Sequence, residues 1–559
     1  MFSKWGLFSL GILLSSSTFA EPPSSESIRF MIKFKKNHQQ LIQIKKQLSA
    51  LTQATITDVQ PMANNAFTIQ VKPSNPARIK NRTLSTSILQ KLRAQPDILY
   101  ALPDRIGYIK PVANPSAPEM VYPLPSHNIQ WDEFLPPGGI LLETKPGLRD
   151  GAWSFTTGYK PEPIVIAVLD TGVALHPALV ANLVQDNEGT ILGWNFANNN
   201  SNILDETHSY HGTHVAGTIA GYSNEMIGVG EHLKVLPIKI PDASGMFYES
   251  AVINAIYWAV GAEVPGVPHN RYPAKVLNMS FSIDIGPGEE LEACDSLLQE
   301  AVTFARDKGA VLAVAAGNSN ELEHFNAPAV CEGTLKIAAT GPTGLRSYYS
   351  NYGPTISFAA PGGDKRFGEL GGILSAVHPN GGVQHSGYDF YQGTSMATPH
   401  VAGVAGLIFA VAEHPLQAAE VEELLTKTTH DFGESTNPYN SCVGDIPCGH
   451  GILDAQNAVK ATLAHYDVLF SAPKFADMAA APCGNSISLA TNDTLVFKNS
   501  SWKKITKGCQ NLNDYQHPRI VQNADGTIDA IYGAVRYRLQ TSSYKFCEVI
   551  GFDGIGCQN

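Results

Sequence analysis

Three short segments of this 559-residue chain carry side chains that could do chemistry together. The first is Val168-Leu169-Asp170-Thr171-Gly172-Val173, an acid followed by Thr-Gly after an apolar run. At a strand end, such a turn holds a carboxylate in a fixed, partly buried place. Asp-Thr-Gly also occurs in aspartic proteases, but their chemistry needs two carboxylates sharing one proton. The sequence has no second Asp-Thr-Gly or Asp-Ser-Gly. The second segment is His211-Gly212-Thr213-His214-Val215-Ala216-Gly217-Thr218, whose small residues predict a helix start packed close to its neighbours. Metal binding by His208, His211 and His214 is the rival reading, and it lacks the glutamate that stands between the histidines of zinc helices. The third is Gly393-Thr394-Ser395-Met396-Ala397-Thr398-Pro399-His400. Gly393 frees the backbone for a sharp turn, and Pro399 suits only a first helical turn or its surroundings. Ser395 is therefore expected at a helix N-terminus, where amides and dipole favour a developing oxyanion. The bland alternative is a serine N-cap. The Gly-x-Ser-x-Gly elbow of α/β-hydrolases is not present here. A serine hydroxyl is a weak nucleophile until a base takes its proton. Neutral imidazole can do that near pH 7, and a carboxylate fixes its tautomer and stabilises the imidazolium.

Taken together, the segments resemble the subtilase family of subtilisin-like serine proteases, in particular secreted bacterial members with an N-terminal propeptide. The order is Asp, His, Ser, with spacings of 41 and 184 residues, and the likeness runs from about Trp153 to Gln456. The resemblance implies Ser395 as nucleophile, His211 as general base and then acid, and Asp170 as the group that orients the imidazole. It implies Asn318, in Val314-Ala315-Ala316-Gly317-Asn318, as a side-chain oxyanion donor beside the Ser395 amide. Asn278-Met279-Ser280-Phe281 resembles the edge strand that subtilases offer to an extended peptide, a case of strand addition. Ser280, Phe281 and Ser282 then bind substrate. Gly317 lies near the pocket for the side chain preceding the scissile bond, with Ser244 and Gly245 on the opposite wall. Ser282 stands where the family usually has glycine, which narrows the mouth. Glu321 and Glu323 either favour a basic side chain or are solvated loop carboxylates, the second being preferred. The chemistry needs no cofactor, and no metal site is assigned. Structural calcium is left open, because Ala178 stands where an acid is common and only Asp186, Asp205 and Glu206 remain as hard oxygen ligands.

The elements that must position these residues are legible as short runs. Pro163–Leu169, Leu233–Ile240, Ala274–Phe281, Ala310–Ala315, Leu335–Ala339 and Ile356–Ala359 are apolar and rich in Val, Ile and Ala. Helical patterns at Tyr248–Val260, Glu290–Lys308 and Thr394–Ala412 lie between or after them. Buried strands alternating with helices predict an α/β fold, a mostly parallel sheet covered by helices on both faces. Ligands of such sheets sit at the carboxyl ends of the strands, where Asp170 and Asn318 stand. Ahead of this lies a small α+β unit. It has strands at Ser27–Phe34, Phe67–Val71 and Ile106–Lys110, and helices at His38–Leu51 and Leu84–Gln95. It resembles the subtilase propeptide. Beyond Tyr466 the texture is aromatic and strand-like, at Leu495–Phe497, Ile528–Leu539 and Tyr544–Ile550, and predicts a small β-rich module.

Charge and termini complete the reading. The net charge of -11 argues against a duplex nucleic-acid binder. It is unevenly placed: residues 21–110 hold 14 Lys/Arg against 5 Asp/Glu, while residues 111–559 hold 24 against 45. A basic front piece and an acidic body suggest two parts made to meet. Met1–Ala20 has one charge, Lys4, an apolar run from Trp5 to Leu14, and Thr18-Phe19-Ala20 at its end, the pattern of a secretory signal. No later stretch has the apolar length of a membrane span. The expected product is a secreted protein, with periplasmic passage left open, that acts as a monomer on protein or peptide substrates. The expected division is a signal at 1–20, an inhibitory and chaperone-like propeptide at 21–112, a linker and start of the mature chain at 113–146, a peptidase domain at 147–465, and a β-rich module at 466–559. Eight cysteines without a Cys-x-x-Cys pair fit disulfides rather than zinc. The family resemblance implies Cys294–Cys331 and Cys442–Cys448 bridges. Cys483, Cys509, Cys547 and Cys557 then pair among themselves in one of three ways. The alternative function is a non-catalytic scaffold for the β tail, and a third idea is a processing protease that cuts at basic pairs.

Overall fold

The N-terminal unit buries the alternate residues of its strands under two helices. Numbered along the chain, it contains β1 (Ile28–Phe34), α1 (Leu41–Thr52), β2 (Thr55–Pro61), β3 (Ala66–Lys72), α2 (Arg82–Arg93) and β4 (Ile98–Pro103). The strands form one antiparallel sheet in the order β2-β3-β1-β4. Phe30, Ile32, Phe34, Ile69 and Val71 meet Ile44, Leu48, Ile88 and Leu92 in its core. Met31, with the opposite parity, joins a different cluster, shared with the body of the molecule. β2 and β4 were not anticipated. β2 reads TITDVQP, lies at the sheet edge and ends in Pro61, so it lacks the apolar alternation of a covered strand. A short β5 (Ile106–Tyr108) follows and leaves this unit for the body.

The structure is a computed structural model that describes residues 27–36, 41–52, 54–72, 82–109, 112, 129–283, 294–321, 327–433, 435, 441–442 and 447–469, together with eight strands after residue 486. In the body the elements are β6 (Val165–Asp170), β7 (Trp194–Asn195), α3 (His211–Ala220), β8 (Lys234–Lys239), β9 (Met246–Tyr248), α4 (Glu249–Ala259), β10 (Val276–Met279) and β11 (Ser282–Ile283). Then come α5 (Ser296–Asp307), β12 (Val311–Ala315), β13 (Leu335–Thr340), β14 (Phe358–Pro361), β15 (Ile373–Ala376), β16 (Tyr388–Tyr391), α6 (Thr394–Val411), α7 (Ala418–Lys427) and α8 (Ala455–Leu469). Seven strands form a parallel sheet in the order β14-β13-β12-β10-β6-β8-β7. Strand parity sorts the core into two layers. Ile166, Val168, Val276, Ala313 and Ile337 pack with Val215, Ile219, Val401 and Leu407 of α3 and α6. Val165, Ala167, Leu169, Leu277 and Leu312 pack with Val252, Ile256, Leu298 and Val302 of α4 and α5. The fold is the expected α/β one, with helices on both faces of a parallel sheet.

Residues 129–146, at the expected start of the mature chain, are built into this body: Trp131, Ile140 and Leu142 lie in the α3/α6 layer. Helix α6 is long and apolar enough to cross a membrane, but 89% of it is buried inside the fold, so it is the central core helix. Both disulfides implied for the body form, Cys294–Cys331 with a Cα–Cα distance of 4.7 Å and Cys442–Cys448 with 4.9 Å. In the tail, β17 (Ile487–Ser488), β18 (Thr494–Lys498) and β19 (Ser501–Ile505) pair antiparallel. So do β20 (Arg519–Gln522), β21 (Ile528–Tyr532), β22 (Val535–Gln540), β23 (Lys545–Ile550) and β24 (Gly554–Gly556). The signal at 1–20 and the pairing of the four tail cysteines lie outside the described residues.

Candidate active site

Asp170 is the last residue of β6 and is fully buried. Its Oδ1 accepts the Thr171 amide at 2.7 Å. His211 opens α3, and its Nδ1 lies 2.9 and 3.0 Å from the two carboxylate oxygens of Asp170. The helix can start this close because Gly212 has no side chain: a Cβ there would stand 2.3 Å from the Gly172 carbonyl oxygen. Thr171 locks the same corner, its Oγ1 accepting the Gly212 amide at 2.8 Å and donating to Asp205. Burial works against a charged His211, but the Asp170 carboxylate, helped by Asp205, outweighs it and raises the imidazole above its ordinary value of 6.5. His214, one turn on, points elsewhere. Its Nε2 donates to the Ile373 carbonyl at 2.9 Å, and its ring stacks on Tyr391 at 4.3 Å. Burial, then the neighbouring His211, lowers it to about 3. His211 and His214 therefore serve different partners, and the metal reading of this segment fails.

Ser395 is the second residue of α6, as its motif predicts. Its hydroxyl donates to the Ser280 carbonyl at 3.1 Å. Pro399, however, sits in the helix interior rather than at its first turn. A proline there has no N–H for the carbonyl four residues back, which is that of Ser395. The Ser280 hydroxyl supplies the missing donor at 2.9 Å, and the Asn278 amide holds that hydroxyl at 3.0 Å. Asn318 follows β12, and its Oδ1 accepts both the amide and the hydroxyl of Thr394 at 2.8 and 3.0 Å. This turns Nδ2 the other way, to 3.7 Å from the place a Cβ would occupy on Gly393, where the Ser395 amide lies at 3.6 Å. Gly393 has φ +153° and no side chain, so its own residue does not fill the space in front of both groups.

The edges beside Ser395 are filled by the chain itself. β5 lies between β9 and β11, antiparallel to both, with Tyr108 opposite Met246 and Ser282. The Ile109 amide donates to the Gly245 carbonyl at 3.0 Å. Val112 then passes 3.2 Å from the Cβ place on Gly393. Gly245 and Ser282 thus touch this strand directly, while Phe281 packs edge-on against Phe247 at 5.0 Å. Ser244 is exposed, and its hydroxyl donates to Asp242 at 2.6 Å. Gly317 has φ +108° and donates its amide to Thr394 at 3.2 Å, beside Asn318. Glu321 is exposed, and Glu323 lies outside the described residues.

The three acids considered for calcium do not converge. Asp205 binds Thr171 and Thr207, Glu206 pairs with Lys239 at 2.6 Å, and Asp186 accepts amides of its own turn. Sequence reasoning missed a different group, Asp132, Glu133 and His400, all buried. His400 Nδ1 donates to the Met396 carbonyl at 2.8 Å, and Nε2 lies 3.2 Å from Asp132 Oδ2 and 3.8 Å from Glu133 Oε1. Burial, and then Asp132, pushes Glu133 well above the ordinary carboxyl range. Among the described residues this is the one grouping close enough to hold a metal ion. It ties the stretch at 131–133 to α6. Its only sequence signal is the adjacency Asp132-Glu133.

Residues 162–451 match the Subtilase family (peptidase S8). The chain is 29% identical over 413 residues to the extracellular basic protease of Dichelobacter nodosus, covering 67% of this chain and 60% of that one. It is 35% identical over 337 residues to the extracellular protease of Xanthomonas campestris pv. campestris, covering 56% and 53%. The matches thus span little more than half the length of these relatives. Proteases from Pseudoalteromonas arctica are similar in structure, with 34% identity and a TM-score of 0.50 over 62% of this chain and 100% of theirs. Fervidolysin from Fervidobacterium pennivorans shares the fold at 22% identity, with a TM-score of 0.52 over 78% and 61% of the two chains.

Proposed function

The chain belongs to the subtilase family, and on that premise we propose that it is a secreted serine endopeptidase, made as a precursor that processes itself. The observation that carries the reading is the buried Asp170–His211 hydrogen bond at 2.9 Å, beside a serine at the N-terminus of α6. Ser395 Oγ attacks the substrate carbonyl, and Nε2 of neutral His211 takes its proton. Asp170 keeps the Nδ1–H tautomer and stabilises the imidazolium. The oxyanion sits between the Ser395 amide and Asn318 Nδ2. Histidine returns the proton to the leaving amine, an acyl-enzyme remains, and water then hydrolyses it by the same steps in reverse. In this state the serine faces Ser280 rather than His211, and such contacts tighten in the substrate complex.

Residues 21–112 are read as a propeptide that inhibits the site and speeds folding. Its strand β5 occupies both peptide-binding edges, and Lys33–Glu300 at 2.6 Å is one of its ion pairs to the body. The first cut falls between residues 110 and 130, after a signal at 1–20. Residues 113–146 become the linker and start of the mature chain, 147–465 the peptidase domain, and 466–559 a module without an assigned role. Ser280, Phe281, Ser282, Gly317, Ser244 and Gly245 remain the proposed substrate contacts. No residue is proposed as a calcium ligand. The names of the two extracellular relatives support the secreted reading. Ser395→Ala should abolish peptide hydrolysis and leave the precursor uncut. Normal hydrolysis by the purified variant would remove the assignment, whereas a wild type that hydrolyses no peptide would favour the scaffold reading.

A further inference from the structure

We propose that Glu249 and Asp295 form an anionic subsite at the far end of the peptide-binding edge, which takes a cationic side chain of the substrate. This rests on the endopeptidase reading. Glu249 opens α4, and Asp295 immediately precedes α5. The Glu249 amide donates to the Arg105 carbonyl at 2.9 Å and so extends the β5–β9 ladder by one residue. The guanidinium of Arg105 bonds Asp295 and lies 3.6 Å from Glu249 Oε2. The Glu249 side chain is fully buried against Asp295, and burial, then Asp295, raises its carboxyl well above the ordinary range. Arg105 is the one cation paired with either acid among the described residues.

Register makes this a property of the edge, not only of Arg105. Alternate residues of an extended peptide face the same side, so Gly107 shares the side of Arg105. A Cβ on Gly107 would stand 2.2 Å from Phe247 Cζ, because that ring fills the space beneath it. A peptide added in this register meets a closed pocket two residues after the acidic one. When the N-terminal unit leaves, two carboxyl groups lose their countercharge. Burial favours the neutral form of Glu249, so the charge left without its partner is that of Asp295, and an arginine of the substrate restores that ion pair. The substrate class is thus an extended segment with arginine two residues before glycine.

The test compares two octapeptide p-nitroanilides on the matured enzyme, one with the sequence of residues 105–112, which ends at the Val112 that lies beside Gly393, and one with its first Arg replaced by Gln. The arginine peptide should have a KM on the order of tenfold lower or more, with kcat within about twofold. Glu249→Gln and Asp295→Asn should each reduce that difference, and either variant suffices if the other fails to fold. Equal KM values in the wild type would overturn the proposal. Failure to cut either peptide, while a fluorophosphonate still labels Ser395, would overturn the register and leave the catalytic reading standing. Absence of label as well would overturn both.

Discussion

The identity of residue 280 follows from a proline 119 positions away. Pro399 takes a donor from the Ser395 carbonyl, and the Ser280 hydroxyl replaces it at 2.9 Å. Ser280→Ala should therefore destabilise the fold by about 1–3 kcal/mol, the cost of a buried acceptor left unpaired. Urea midpoints measured in a Ser395→Ala background read this, and an unchanged midpoint would contradict it. Asn318 is held by Thr394 so that only its amide group faces the oxyanion space. Asn318→Ala should lower kcat by roughly 10²–10³, the range found when such a donor is removed from a hole of this kind. A change confined to KM would make Asn318 a binding residue only. In the proposed mechanism His211 accepts the serine proton in its neutral form, and its partners raise it above 6.5. Activity should be present at high pH and lost as pH falls through that raised value. The acid limb of kcat/KM should lie above pH 6.5, and Asp170→Asn should move it down. A limb at or below 6.5 in the wild type would contradict the geometry. Asp170, His211 and Ser395 were legible as the proposed triad because that chemistry would fix their identity and tight packing fixes their small neighbours. The roles of Pro399 and Asp132 were not, since each acts through a partner more than a hundred residues away.

Among the elements, buried strands were the readable ones. Val165–Asp170 and Val311–Ala315 are apolar throughout because both sheet faces are covered. β7, β9, β11, β15 and β16 have two to four residues each, too short for a period to show. β9 and β11 share a sheet only through β5, which lies between them and more than a hundred residues before either. The Cys294–Cys331 bridge links the residue before Asp295 to the loop after β12, closing a span of 37 residues. Replacing both cysteines by serine should cost about 2–4 kcal/mol. It should also loosen Asp295, seen as faster amide exchange at the start of α5. Equal stability with and without the bridge would deny it a bracing role.

At the scale of the whole molecule, residues 21–110 hold nine more basic than acidic residues, and the remainder from 111 holds 21 more acidic ones. That asymmetry appears at the interface as Lys33–Glu300 and Arg105–Asp295 pairs. The isolated segment should inhibit the matured enzyme at micromolar concentration, and salt should weaken it by screening the encounter. No inhibition would detach this unit from the active site, and salt-insensitive inhibition would leave apolar packing as its cause. The central claim is that Ser395 is a nucleophile activated by His211. The most direct measurement is reaction of the matured enzyme with a fluorophosphonate, with the labelled residue located by peptide mass spectrometry. The account predicts one label, on Ser395, and its loss in His211→Ala. No label, a label on another residue, or equal labelling of His211→Ala would contradict it.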